Sequence, residues 1–161
     1  MARRDPVEDA QPGPADRLAG AAAAALLDEL DYDAHVERAR RAYAARCEVL
    51  VGALRRRAPS TWRWVEPLGG FSVWIEIGAE VDEAALLDHA IRNGVCFDPG
   101  RLFRPDDAEG GLAFRLSFSS APPGALSEGV RRLVAAVSSF REDQEARHVR
   151  DVQAATAAVD R

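Results

Sequence analysis

Two periodicities divide the chain. An Ala-rich stretch from Ala15 to Leu30 reads as a helix, and Asp31-Tyr32-Asp33 interrupts it with two residues able to cap the next one. Val36, Ala39, Tyr43, Cys47, Leu50 and Leu54 then recur three or four residues apart, which predicts a second helix with one apolar stripe. Arg38, Arg40, Arg41 and Arg46 fall off that stripe. Arg55, Arg56 and Arg57 fill the last turn, where cations suit the carbonyl end of the helix dipole, and Pro59 stops it.

Alternation then replaces the helical period. Trp62 to Glu66 reads as a short strand, and Pro67-Leu68-Gly69-Gly70 as a turn. From Phe71 to Ile77, Phe71, Val73, Ile75 and Ile77 share one face, while Ser72, Trp74 and Glu76 share the other. The two strands make a hairpin. Asp82 opens a short helix carrying Leu86, Leu87, Ala90 and Ile91, and Gly94 closes it in the left-handed conformation. Val95-Cys96-Phe97 reads as a brief strand ended by a turn at Asp98-Pro99-Gly100, and a charged loop runs from Arg101 to Gly111. From Leu112 to Ser119, Phe114, Leu116 and Phe118 face one way and Arg115, Ser117 and Ser119 the other. A last core helix carries Leu126, Val130, Leu133, Val137 and Phe140.

This order predicts an α+β fold: a small, mostly antiparallel sheet with helices packed on one face. Residues 1–14, with Pro6, Pro12, Gly13 and Pro14 among charges, read as a flexible lead-in. Residues 15–140 form the domain, and 141–161 a polar tail, helical or disordered.

Composition narrows the chemistry. The 161 residues include 31 alanines and 21 arginines, and no lysine. No Schiff-base lysine, lysine general base or lysine phosphate cradle can come from them. A 47% hydrophobic content supports a packed core, and a net charge of -5 argues against a nucleic-acid surface. Cys47 and Cys96 have no metal-ligand spacing and read as reduced thiols, which points to the cytoplasm. The longest apolar run, Leu18 to Leu27, is too short to span a bilayer, and the start of the chain has no apolar signal core.

Among side chains that could carry chemistry, Arg115 stands out. Alternation sends it away from the core, and a guanidinium held on a strand suits a carboxylate. An exposed arginine with a surface partner gives the same pattern. Asp98, Glu76 and His89 are weaker candidates for acid-base work. His35, His89 and His148 are isolated, so no triad or metal set is visible. Trp62, Trp64 and Trp74 read as core or interface residues rather than a stacking platform. Gly69-Gly70 and Asp98-Pro99-Gly100 read as turns first.

Taken in order, several segments resemble one family. Leu30 to Arg38 with Tyr43 and Arg46, then Trp64 to Ile75 with its Pro-x-Gly-Gly turn, then Gly94 to Phe103, Phe114 to Ser119 and Glu128 to Leu133 follow one another as in the small C-terminal domain of class I/II, fold-type I aminotransferases. The resemblance is nearest to the branch holding aminoadipate and kynurenine transaminases and the aminotransferase-like half of MocR-type regulators, and it covers about Ala15 to Phe140. It implies that Arg115 binds a substrate α-carboxylate, with Arg101 and Ser117 as weaker ligand contacts.

It also implies pyridoxal phosphate (PLP) chemistry, but the family places the PLP lysine and most phosphate contacts on a large domain that does not match here. The expectation is therefore a detached small domain that holds no cofactor and does not transaminate alone. It would act with a large-domain partner or persist as a truncated relic. Two other readings remain: a PLP-independent biosynthetic enzyme acting on an amino-acid-derived carboxylate, and a non-catalytic homodimeric binding module. A MocR-type regulator is disfavoured, because no DNA-binding domain precedes the match.

Overall fold

A computed structural model describes residues 13–78, 81–104 and 111–159 of the chain. Most of the expected lead-in over 1–14, the centre of the Arg101–Gly111 loop and the last two residues of the expected tail lie outside the described residues. The chain divides into two compact units, Met1–Arg41 and Ala42–Arg161.

The first unit holds helix α1 (Pro14–Glu29) and the start of α2 (Tyr32–Arg57). The Asp31 side chain accepts from the Ala34 N–H at 3.0 Å and so caps α2. Leu18, Leu26 and Leu27 on α1 are exposed.

The second unit is the α+β domain. It contains the rest of α2, then β1 (Arg63–Trp64), β2 (Ser72–Glu76), α3 (Glu83–Arg92), β3 (Asp98–Pro99), a 3-10 turn (Gly100–Phe103), β4 (Ala113–Ser117) and α4 (Pro123–Val159). The sheet order is β1-β2-β4-β3, and every neighbouring pair is antiparallel. Alternation decides what it buries. Val73 and Ile75 of β2 and Phe114 and Leu116 of β4 face the core. There they meet Leu50 and Leu54 of α2, Leu86 and Ala90 of α3, and Leu126, Val130, Leu133, Val137 and Phe140 of α4. Trp62 joins them, edge-on to Phe114 with ring centroids 5.7 Å apart.

Both ends of α3 follow the sequence reading. Asp82 accepts from the Ala84 and Ala85 N–H groups at 2.9 and 3.1 Å, and Gly94 has φ +71°. Three local readings change. The first strand narrows to Arg63–Trp64. Phe71 stays exposed ahead of β2, held by its carbonyl, which accepts from the Phe118 N–H at 2.8 Å. The strand expected at Val95–Phe97 forms one step later, at Asp98–Pro99. Phe97 is a core residue, its ring centroid 4.7 Å from that of Phe114, and the ladder to β4 begins only at Asp98. Core burial along α4 ends at Phe140, and every residue from Arg141 to Thr156 is exposed.

Candidate functional site

The shift of β3 builds the site. Pairing Asp98 with Arg115, and Trp74 with Arg115 on the other flank, puts three side chains in one row across the sheet. That row lies on the face opposite Phe114 and Leu116, away from the helices.

The Arg115 guanidinium meets the Asp98 carboxylate twice. Its Nε donates to Oδ2 at 3.0 Å, and its NH2 lies 2.9 Å from the same oxygen. The two side chains are 36% and 44% exposed, so solvent reaches the pair. The guanidinium Cζ lies over the Phe103 ring, 4.6 Å from its centroid. Trp74 in turn meets Phe103 edge-on, at 6.0 Å and 87°.

The 3-10 turn brings Phe103 into place, and two features hold that turn. Glu83, at the start of α3, accepts from the Gly100 N–H at 2.8 Å and from the Arg101 N–H at 3.3 Å. Gly100 passes so close to β4 that a Cβ there would lie 2.5 Å from the Ala113 carbonyl oxygen and 3.2 Å from the Trp74 ring. Only glycine fits, for want of space.

The other candidates scatter around this centre. Arg101 sits one residue beyond Gly100, its Nε 3.5 Å from the Glu83 carboxylate, so it is an exposed paired arginine. The Ser117 hydroxyl lies two residues along β4 from Arg115, 3.0 Å from the Ser119 hydroxyl and 3.4 Å from the Phe71 carbonyl. Glu76 is exposed at the far end of β2, register-paired with Ala113 rather than with Arg115. His89 belongs to the contact of α3 with α4, where its Nε2 lies 2.9 Å from the Ser139 hydroxyl and its ring 5.5 Å from that of Phe140. Asp98 is therefore the one weak candidate brought onto Arg115, and it arrives as an ion-pair partner.

The sequence reading gave no role to Phe103 or Glu83, and it took Trp74 as a core or interface residue. Trp74 shares Arg115's outward alternation, and Phe103 ends the Pro-Gly-x-x-Phe segment, so both left a trace. Glu83 left none. Arg46, off the apolar stripe of α2, donates from NH1 to the Ser119 carbonyl at 2.7 Å and ties α2 to the end of β4.

Elsewhere, burial raises the Cys47 thiol above its usual pKa, and nearby Glu66 and Glu48 add to the rise. Among the described residues, no cluster of three or more His, Cys, Asp or Glu side chains could hold a metal. No described helix is long and apolar enough to cross a membrane.

A four-stranded antiparallel sheet with helices on one face and the Asp98–Arg115 ion pair on the other defines an α+β domain. Residues 15–133 match the model of aminotransferase class I and II, and the chain belongs to that family. It is 33% identical over 108 residues to a 2-aminoadipate transaminase of Thermus thermophilus, covering 67% of this chain and 27% of that protein. It is also 33% identical over 106 residues to the HTH-type transcriptional regulator TauR of Rhodobacter capsulatus, covering 66% of this chain and 22% of that protein. Among solved structures it resembles the α-aminoadipate aminotransferase LysN of Thermus thermophilus, complexed with N-(5'-phosphopyridoxyl)-L-leucine. The TM-score is 0.66 at 32% identity, covering 73% of this chain and 30% of that one. The kynurenine aminotransferase of Pyrococcus horikoshii gives a TM-score of 0.65 at 25% identity, covering 71% of this chain and 28% of that one. The chain thus spans about a quarter of the length of the curated relatives it matches.

The family is PLP-dependent, and these 161 residues do not fit the cofactor's covalent anchor. An aldimine needs a lysine amine, and the sequence contains no lysine. The Arg115 guanidinium, a cation on the exposed sheet face, is engaged by Asp98.

Proposed function

We propose that this chain is the carboxylate-binding small domain of an aminotransferase-type active site, with Arg115 as the residue that receives the ligand carboxylate. The observation that carries this reading is the outward guanidinium on β4, in a chain whose family match runs through that strand. The Phe103 ring lies against the guanidinium and Asp98 meets its Nε and NH2, so a planar two-oxygen ligand would use the remaining N–H groups or take the place of Asp98.

The lysine and the remaining PLP contacts come from a large-domain part outside these residues. By themselves the 161 residues bind a small carboxylate or amino acid but do not transaminate. Exposed apolar side chains at Val65, Leu68, Phe71, Leu102 and Phe103 support a docking role for this domain, since such residues in numbers mark surfaces that a partner covers. The cytoplasm fits two free cysteines.

Two measurements test the reading. In a binding titration with 2-oxobutyrate, Arg115→Ala abolishes binding, while Arg101→Ala leaves it within about twofold, as expected for an exposed side chain in a surface ion pair. In a PLP titration of the chain alone, no stable aldimine absorbance develops. Unchanged binding in Arg115→Ala, or turnover of an amino acid by these residues with PLP, would overturn it.

A further inference from the structure

The Arg115 guanidinium already holds a carboxylate, that of Asp98. The two residues are register partners on adjacent strands, so the backbone ladder fixes their approach. Both contacts, from Nε and NH2, go to Oδ2, and neither uses Oδ1. The Phe103 ring packs against the guanidinium from another side, Cζ 4.6 Å from the ring centroid, so a ligand carboxylate approaches it in the neighbourhood of Asp98. Both side chains are open to solvent, and the pair can therefore exchange partners without opening the core.

We propose that Asp98 is a specificity-determining residue: an internal carboxylate that occupies Arg115 and makes the site favour α-amino acids over the matching oxo acids. The inference rests on Arg115 being the carboxylate-binding residue. An incoming oxo acid brings a second negative charge to a guanidinium that is already neutralised. It either displaces Asp98, leaving that carboxylate with no cation, or binds the remaining N–H groups with its charge set against that of Asp98, and both cost affinity. An amino acid carries an ammonium on the carbon next to its carboxylate. As the carboxylate takes over Arg115, the ammonium becomes the new partner of Asp98, and charge is balanced throughout. An asparagine at 98 has no charge to balance, so it removes both the competition and the preference. Ion pairs at this exposure are weak, which limits the gain for an oxo acid to on the order of fivefold.

The experiment compares 2-aminobutyrate with 2-oxobutyrate, which share a carbon skeleton, on the full chain at constant ionic strength. Binding is read from the Arg115 Nε–H signal and the tryptophan indole signals by NMR. The wild-type chain is expected to bind the amino acid more tightly. Asp98→Asn should bind the oxo acid about fivefold more tightly than wild type and lose most of the preference. Asp98→Ala, which removes the acceptor as well, should behave alike. It keeps the comparison usable should the asparagine variant fail to fold by its urea midpoint. Equal affinity of wild type and both variants for 2-oxobutyrate would overturn the proposal, as would a wild-type chain without preference. If in that case Arg115→Ala still abolishes binding, the carboxylate-binding role of Arg115 stands and only the role of Asp98 falls. Full binding by Arg115→Ala would overturn both.

Discussion

Gly100 is the residue on which the site geometry turns. The 3-10 turn must graze β4 to lay Phe103 over Arg115, and the grazing leaves 2.5 Å between a would-be Cβ and the Ala113 oxygen. Gly100→Ala is expected to push the turn off the strand, with about 1–3 kcal/mol lost in urea unfolding. Carboxylate binding should fall with it, because Phe103 no longer restrains the guanidinium. A variant of unchanged stability would show that the turn relaxes freely. The need for glycine here was invisible in the sequence: Asp-Pro-Gly is a common turn signature, and its crowding comes from a strand that follows much later in the chain.

At the scale of single elements, α4 carries a local electrostatic device. Glu128 accepts from Arg131 Nε and NH2, both at 2.7 Å, and from Arg132 Nε at 2.9 Å. Hydrogen bonds from Arg131 and then Arg132 hold its carboxyl at a pKa of about 2, against an ordinary 4.5. The folded pKa is depressed, so the contribution to stability is complete above 4.5 and is lost as pH falls toward 2. Wild type should therefore lose more stability than Glu128→Gln across that window, measured by urea midpoints at each pH. Because the cluster is exposed to solvent, raising salt to about 0.5 M should shrink the difference. Parallel pH profiles at low salt would contradict the assignment.

The elements themselves were largely legible. The stripes of α2 and α4 are a helical period of apolar residues, and β2 and β4 alternate cleanly. Both are properties of neighbouring positions along the chain. The misplaced element was β3. Val95-Cys96-Phe97 is the more strand-like tripeptide, yet Asp98-Pro99 makes the ladder. Pairing is decided by where β4 offers partners, not by local propensity.

For the whole molecule, the division into two units assigns different weights to similar residues. Leu133 is fully buried in the core of the Ala42–Arg161 unit, whereas Leu26 in the Met1–Arg41 unit is 60% exposed. Leu133→Ala should cost about 2–5 kcal/mol in the cooperative unfolding of the core. Leu26→Ser should stay within about 0.5 kcal/mol. Chemical denaturation followed by tryptophan fluorescence reads the core, where Trp62 is packed, and far-UV circular dichroism adds the helical signal of α1. Comparable losses from the two variants would refute this distribution of burial.

The α+β class, the helices and the central strands, the outward direction of Arg115 and the absence of any lysine were all legible from the chain alone. Each is written in the identity of a residue or in its near neighbours, and the family match over 15–133 agrees with that reading of the fold. Folding was needed to show that Asp98 holds Arg115, that Phe103 packs against it, that Glu83 and Gly100 secure the turn between them, and that His89 lies apart in a helix contact. Asp98 and Arg115 are 17 positions apart and join distant segments through strand register. Register is settled by packing the whole sheet against its helices, so no local pattern announces which side chains will meet.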